Sequence, residues 1–327
     1  MKAAWYSRNG PARDVLVVGD IPVPAPGEGE VVVEVHTSGI NPSDVKSRVG
    51  RPVTSGIVVP HSDGAGVIVD AGPGVDRRRL GERVWLWNGQ WTRPLGTAAE
   101  YIVLPQAQAV ALPAHIGFDA GACLGIPALT AMHAVLRAGE LGGRTVLVTG
   151  AGSAVGHYVT QIATRKGAVV VGTAGSPARR DHAAAAGATH VIDYKREPVV
   201  DRVKEITKGA GVDAVIDMDF SSTAPLLPQG LLKAHGRFVC YGSSQRGDLP
   251  VDIRTVLWGS HDLLFFLVYD LLPAERAAAI GELSALLAAD ALQHTIGAGF
   301  ALEEIAAAHE MVEASDAVGK VVLRVRG

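Results

Sequence analysis

The sequence predicts a two-part α/β protein: a mainly-β domain, and a doubly wound nucleotide-binding domain built on a six-stranded parallel sheet. Three observations carry this expectation. A glycine-rich turn, Gly150-Ala151-Gly152-Ser153-Ala154-Val155-Gly156, stands between an apolar run and a helical stretch. Beyond it, continuous apolar runs alternate with amphipathic ones, the pattern of a parallel sheet covered on both faces. Before it, the first 110 or so residues read as short β segments divided by Pro/Gly turns.

Taken in order, residues 15–20, 31–38, 65–71, 83–87 and 99–104 are expected as β segments. Clusters such as Pro22-Val23-Pro24-Ala25-Pro26-Gly27 punctuate them. Helical sequence begins near Phe118 and runs through residues 126–137. The nucleotide domain then reads as strands over 145–149, 168–173, 190–193, 212–217, 237–241 and 263–269. Helices are expected between them over 155–165, 178–186, 199–207 and 223–232. A helix (274–289), a β piece (295–300), a helix (303–314) and a closing strand (320–325) follow. The closing strand is expected to return to the first sheet. The boundaries expected are 1–121 with 267–327 for the first domain and 122–266 for the second, with an active site in the cleft between them.

Composition narrows the function classes. The chain has 327 residues, enough for two domains, and 48% hydrophobic residues, enough for real cores. A net charge of −3 gives no basic footprint for nucleic acid. No run of 18 apolar residues suggests a membrane span, and no apolar signal core follows Met1. Two cysteines, Cys123 and Cys240, lie in apolar surroundings far apart. Buried thiols are expected rather than a disulfide, which suits a cytoplasmic location.

Strand, glycine turn and helix in succession are the context of a dinucleotide-binding fingerprint, which sets a pyrophosphate on a helix N-terminus. Gly150, Gly152 and Gly156 fit a variant of it, since the last gap is one residue longer than in G-x-G-x-x-G. An NAD site places an acid at the end of the second strand; here Ala174 occupies that place. Ser176, Arg179 and Arg180 follow, so NADPH is expected over NADH.

At this point the chain resembles the zinc-free medium-chain dehydrogenase/reductase superfamily, of the zeta-crystallin-like quinone oxidoreductase type. The marks are Ser38-Gly39-Ile40-Asn41-Pro42-Ser43-Asp44, Pro60-His61-Ser62-Asp63-Gly64-Ala65-Gly66 and Gly125-Ile126-Pro127-Ala128-Leu129-Thr130-Ala131. To these add the fingerprint, Gly172-Thr173-Ala174-Gly175, His309-Glu310 and Val318-Gly319-Lys320. Their order runs through nearly the whole chain. The resemblance implies a GroES-like first domain, a Rossmann second domain and a homodimer that pairs the last strand. It implies that Ser153, Ala154 and Val155 offer N–H groups to the pyrophosphate. Ser176, Arg179 and Tyr194 would surround the 2′-phosphate. Thr130, Gly242, Ser243 and Phe265 would lie towards the nicotinamide, and Lys320 is counted among the cofactor residues. In zinc-bearing relatives a cysteine falls at Asn41 and a His-Glu pair at Ser62-Asp63, so neither catalytic nor structural zinc is expected here. The other histidines, His36 and His61 among them, are expected as loop or edge residues.

The function so implied is hydride transfer from NADPH to a quinone or a small α,β-unsaturated carbonyl. Asn41 is the candidate donor to the developing oxyanion, Asp44 its orienting or helix-capping neighbour, and Asp63 a contact of that loop. Many relatives carry a tyrosine shortly after the Asn41 segment. Arg48-Val49-Gly50-Arg51-Pro52 has none, which favours an acceptor whose product takes its proton from solvent. An enoyl-thioester reductase and a non-catalytic NADPH-binding or RNA-binding protein stand as alternatives. Trp85, Trp87 and Trp91 would line an aromatic substrate wall or fill the β core.

Overall fold

β-Branched residues dominate residues 30–40, and this segment forms the longest strand described. The computed structural model describes residues 1–245 and 247–326. The chain divides into two compact units, Met1–Ile126 with His294–Gly327, and Pro127–Gln293. The first unit carries β1 (Lys2–Trp5), β2 (Val17–Asp20), β3 (Glu30–Ile40), β4 (Asp63–Ala71), β5 (Arg83–Leu86), β6 (Tyr101–Pro105) and β7 (Ala109–Ala111). The second carries β8 (Thr145–Val148), β9 (Val169–Ala174), β10 (His190–Asp193), β11 (Val212–Asp217), β12 (Leu232–Cys240) and β13 (Asp262–Phe265). The last two strands, β14 (Ile296–Ala301) and β15 (Lys320–Arg324), return to the first unit.

In the first unit one sheet runs β14-β15-β3-β4-β5-β7, with β6 also paired to β3. Its inner face buries Val31, Val33, Val35, Ile68, Val84, Leu86, Ile102 and Leu104. β15 lies antiparallel on β3 in a register that sets Val321 opposite Ile40. Lys320 is thereby brought to the Asn41 end of β3. The expected return of the terminal strand is observed.

In the second unit every strand pairing is parallel, in the order β10-β9-β8-β11-β12-β13. Counted from β8 this is 3-2-1-4-5-6, the order of a doubly wound dinucleotide fold. Leu147, Val171, Val215 and Phe238 are fully buried within it. Helix Leu129–Ala138 packs on β11 and β12.

Several elements differ from expectation. The helix expected over 223–232 is a short turn, Phe220–Thr223, followed by a 3₁₀ segment, Ala224–Gln229. Pro225 and Pro228 have no N–H to donate, so an α-helix cannot run through them. The strand expected over 263–269 ends at Phe265, because its partner β12 ends at Cys240, opposite it. A 3₁₀ turn, Val268–Asp270, follows. The compact units change at 126/127 and 293/294 rather than at 121/122 and 266/267. Helix Pro273–Ala288 accounts for the second difference. It buries Ala279, Leu283 and Leu287 and packs on helix Leu129–Ala138 in the second unit.

Cys123 and Cys240 are buried thiols, as expected. No helix of the described residues is long and apolar enough to cross a membrane.

Candidate active site

In the second unit the turn after β8 is built from both ends. Gly150 has φ +63°, and a Cβ there would lie 2.0 Å from Met218 Sδ. A Cβ on Gly156 would lie 2.2 Å from Gly150 O. Only glycine lets helix Ala154–Arg165 start that close to the strand. The turn is anchored on neighbouring strand ends. Gly150 N–H donates to Thr173 Oγ1 at 3.0 Å, and Met218 N–H to Thr149 Oγ1 at 2.9 Å. Thr149 Oγ1 in turn donates to Asp217 Oδ1 at 2.6 Å. Asp217 is fully buried, and burial holds its carboxyl above the usual range.

Ser153 departs from its expected role. Its N–H donates to Gly150 O at 2.8 Å, and its Oγ accepts from Gly156 N–H at 3.0 Å as the helix N-cap. Ala154 and Val155, the first two helical residues, have no carbonyl of a preceding helical turn to bond, as at any helix start. The turn thus sets backbone donors at a positive dipole end, its glycines packed closely against Met218, Arg179 and the turn's own backbone, and it fits a pyrophosphate.

β9 ends at Ala174 without a carboxylate. Ser176 caps helix Pro177–Ala185, its Oγ accepting from Arg179 N–H at 3.4 Å. Arg179 Nη1 reaches Gly152 O at 3.4 Å, whereas Arg180 is paired with Asp193 at 2.5 Å. Tyr194 is 51% exposed, with its hydroxyl beside Gly175. Gly150, Gly152, Ser176, Arg179 and Tyr194 therefore gather at the C-terminal ends of β8 to β10. Gly242 and Ser243 follow β12. Gly242 O accepts from Phe220 N–H at 3.0 Å, and Ser243 Oγ donates to Gln245 O at 3.0 Å. Thr130 is buried in helix Leu129–Ala138. Phe265 is 53% exposed and meets Phe220 edge-on at 4.9 Å.

Lys320 is not among these residues. It lies in the first unit, where its ammonium binds Asn41 Oδ1 at 2.5 Å and Asp63 Oδ2 at 2.6 Å. Asn41 Nδ2 donates to the same Asp63 oxygen at 2.9 Å. Lys320 is 3%, Asn41 4% and Asp63 0% exposed, so the three form a buried cluster bonded through Asp63 Oδ2 and Asn41 Oδ1. Asn41 also starts helix Pro42–Gly50, with Pro42 in the first turn and Asp44 Oδ2 accepting from Asn41 N–H at 2.7 Å. Asp44 is therefore the capping residue of Asn41. Burial, and next the Asp63 charge, push its carboxyl up to about 7. Burial also raises Asp63, against the pull of Lys320 and Asn41.

His61 lies in a loop, as expected, but is a core residue: it is fully buried and bonded to His309, Nε2 to Nε2, at 2.8 Å. Arg48, in the segment that lacks a tyrosine, is also fully buried and pairs with Glu313. Sequence reading missed both, and also missed Lys320 as the charge partner of Asp63. An N-cap signal in Asn41-Pro42-Ser43-Asp44 was visible, but a lysine 279 positions from its partner leaves no local trace. Of the tryptophans, Trp85 is core at 0% exposure, and Trp87 Nε1 donates to Ala107 O at 3.1 Å. Trp91 lies under the Arg51 guanidinium at 4.9 Å. Among the described residues, no group of three or more His, Cys, Asp or Glu side chains is placed to hold a metal ion.

Residues 27–114 match the family described as alcohol dehydrogenase GroES-like domain, and residues 154–285 the one described as zinc-binding dehydrogenase. The chain is 31% identical over 314 residues to a quinone oxidoreductase of Rattus norvegicus, covering 93% of this chain and 92% of that protein. To a quinone oxidoreductase of Homo sapiens it is 30% identical over 312 residues, covering 93% and 92%. Among solved structures it resembles Escherichia coli quinone oxidoreductase complexed with NADPH. The TM-score is 0.87 and the identity 26%, over 99% of this chain and 100% of that one. A mycobacterial protein complexed with NADPH gives a TM-score of 0.86 and 27% identity, over 99% and 100%.

Proposed function

The chain belongs to the quinone oxidoreductase branch of the medium-chain dehydrogenase/reductase superfamily, it is an NADPH-dependent oxidoreductase, and we propose that it reduces a quinone or a small α,β-unsaturated carbonyl without a metal. The observation that carries the cofactor reading is the turn at Gly150–Gly156 beside a β9 end that holds Ala174 instead of an acid. When bound, NADPH supplies a hydride. The residues of the chain supply binding and polarity. Ala154 and Val155 N–H groups face the pyrophosphate, and Ser176, Arg179 and Tyr194 face the 2′-phosphate.

Asn41 is the proposed donor to the acceptor oxygen. Its Nδ2 donates to Asp63 and its side chain also bonds the Asp44 carboxyl, so an acceptor oxygen would compete with these carboxylates for the amide hydrogens. The Lys320 ammonium on Oδ1 draws electron density from the amide and strengthens it as a donor. Asp44 fixes the Asn41 backbone and so aims the amide. Asn41 and Ser62 offer an amide and a hydroxyl at the places where zinc takes thiolate and imidazole, which supports chemistry without a metal.

Absorbance loss at the nicotinamide band with 1,2-naphthoquinone, 9,10-phenanthrenequinone, an alkyl vinyl ketone and crotonyl-CoA tests this reading. Turnover with a quinone or the ketone is expected; turnover with crotonyl-CoA alone overturns it. Arg179→Ala is expected to raise the KM for NADPH by about 10- to 150-fold, the worth of a charge-assisted contact, and to leave that for NADH nearly unchanged. An equal effect on both would remove Arg179 from the phosphate.

The protein is further proposed to be a homodimer through the outer edge of β13. Just before β13 in the chain, helix Ile253–Gly259 has no buried residue, and Ile253, Leu257 and Trp258 are 72%, 73% and 77% exposed. Phe265 on β13 adds 53%. Unpaired strand edges and contiguous apolar surface of this kind mark association sites. Trp258→Glu is expected to convert a dimer to a monomer by light scattering. A wild-type chain that is already monomeric at micromolar concentration removes the proposal.

A further inference from the structure

His61 has a backbone φ of +79° although it is not glycine, and it is fully buried. Such a conformation is costly for a ring-bearing residue and persists only where the surroundings impose it. They do so here. Thr97 N–H donates to His61 O at 3.0 Å, Ala98 N–H to Pro60 O at 3.1 Å, and Gly89 N–H to Ser62 O at 2.9 Å. The strained backbone turns the imidazole inward, into a chain of hydrogen bonds that ends on the residue two positions ahead.

The direction of that chain follows from counting protons. Thr97 Oγ1 lies 2.5 Å from Asp63 O, and a carbonyl only accepts, so the single Thr97 proton is used there. Thr97 then accepts from Ser38 Oγ at 2.8 Å. Ser38, its proton spent, accepts from His61 Nδ1–H at 2.9 Å. The bare His61 Nε2 accepts from His309 Nε2–H at 2.8 Å. His309 Nδ1 is left unprotonated, and no described residue bonds to it. Both rings are neutral in this scheme. That agrees with burial, which holds His61 well below its usual range and His309 down to about 3.

We propose that His61 is a positioning residue for Asp63: through Ser38 and Thr97 it clamps the Asp63 carbonyl, and so fixes where the Asp63 carboxylate meets Lys320 and Asn41. The effect on turnover rests on the reading of Asn41 as the acceptor's donor; the clamp itself does not. Asp63 Oδ2 accepts from both Lys320 and Asn41, so a small rotation of the Asp63 backbone redirects the Asn41 amide. Outer partners of this kind orient the groups that touch substrate.

The experiment uses the full chain and three variants: Thr97→Val, which is isosteric, His61→Gly, which tolerates the same φ, and His61→Asn. Asparagine also tolerates that φ and can present an amide N–H to Ser38 in place of Nδ1–H. Thr97→Val and His61→Gly are each expected to lower kcat with NADPH and a quinone about fivefold, one hydrogen bond's worth, with the KM for NADPH unchanged. His61→Asn is expected to recover most of kcat. The double variant should be little worse than either single one, because both break the same chain. Independently, the ¹³C carboxyl resonance of Asp63, assigned with Asp63→Asn, is expected to move in Thr97→Val and His61→Gly and to return towards wild type in His61→Asn. An unmoved resonance in Thr97→Val overturns the inference, whether or not His61→Gly folds. A resonance that moves while kcat stays constant supports the clamp and instead refutes the role given to Asn41.

Discussion

Lys320→Met is expected to lower the free energy of unfolding by about 3–5 kcal/mol, the range for breaking a buried ion pair from one side. Lys320 and Asp63 are 3% and 0% exposed, and their charges are 2.6 Å apart. Methionine fills most of the volume of the lysine stem but leaves the Asp63 carboxylate with the Asn41 amide as its remaining side-chain partner. The loss is therefore the cost of an uncompensated buried anion, not the net worth of the pair. Two features identify that cause. The destabilisation should shrink in acid, where Asp63 takes up a proton. It should also be largely reversed in the double variant Lys320→Met/Asp63→Asn, which contains no charge to strand. Urea unfolding at pH 7 and pH 5 measures both. A single variant within about 1 kcal/mol of wild type at pH 7, the net worth of an ordinary hydrogen bond, would mean that the cluster is already hydrated or protonated.

The second large effect concerns pH. Asp44 is 4% exposed, and its carboxyl is pushed up to about 7 from an ordinary value of 3.8. The fold thus prefers the protonated form. Below about pH 4 the group is protonated in both states and the stability it contributes is fully present; this is lost as pH rises from about 4 through about 7, where the folded protein must ionise a buried acid. The whole effect is on the order of 4 kcal/mol, at about 1.4 kcal/mol for each pH unit between the two titrations. Asp44→Asn keeps a side-chain oxygen for the Asn41 N–H and removes the ionisation. Its stability should match wild type near pH 4 and exceed it by a few kcal/mol at pH 8. Other groups titrate in the same range, so the quantity to follow is the difference between the two proteins. A difference that is constant from pH 4.5 to 8 would place Asp44 in a wetter site than its burial indicates.

These two effects and the His61 clamp meet in one small volume, and almost none of it is visible in local sequence. Asn41-Pro42-Ser43-Asp44 does announce a helix start, because an Asn cap, a first-turn proline and an acid at the third position act within one turn. Lys320 announces nothing. It reads as the first residue of a strand, and only the antiparallel pairing of β15 on β3 places it at Asn41. His61 reads as a loop residue because a histidine at positive φ has no distinctive sequence neighbours; its ring is internal because residues 96–98 hold its backbone from another part of the chain. Arg48, charged and in a polar helix, gives no hint that it is fully buried.

The sequence by itself determined the framework of the second unit, strand, glycine turn, helix and the alternation that follows, but not the 3₁₀ segment Ala224–Gln229 or the helix Ile253–Gly259. It could do so because a buried parallel strand, a close backbone turn and an amphipathic helix each impose a short-range pattern on neighbouring residues. It also determined that an amide and a hydroxyl stand where a metal site has thiolate and imidazole. Tertiary structure alone decided which charges neutralise one another, which histidines are internal, and that Lys320 binds Asp63 and Asn41. Those outcomes depend on contacts between residues as many as 279 positions apart. A charge is stabilised by whatever the fold brings within about 3 Å of it, and sequence neighbours do not record that.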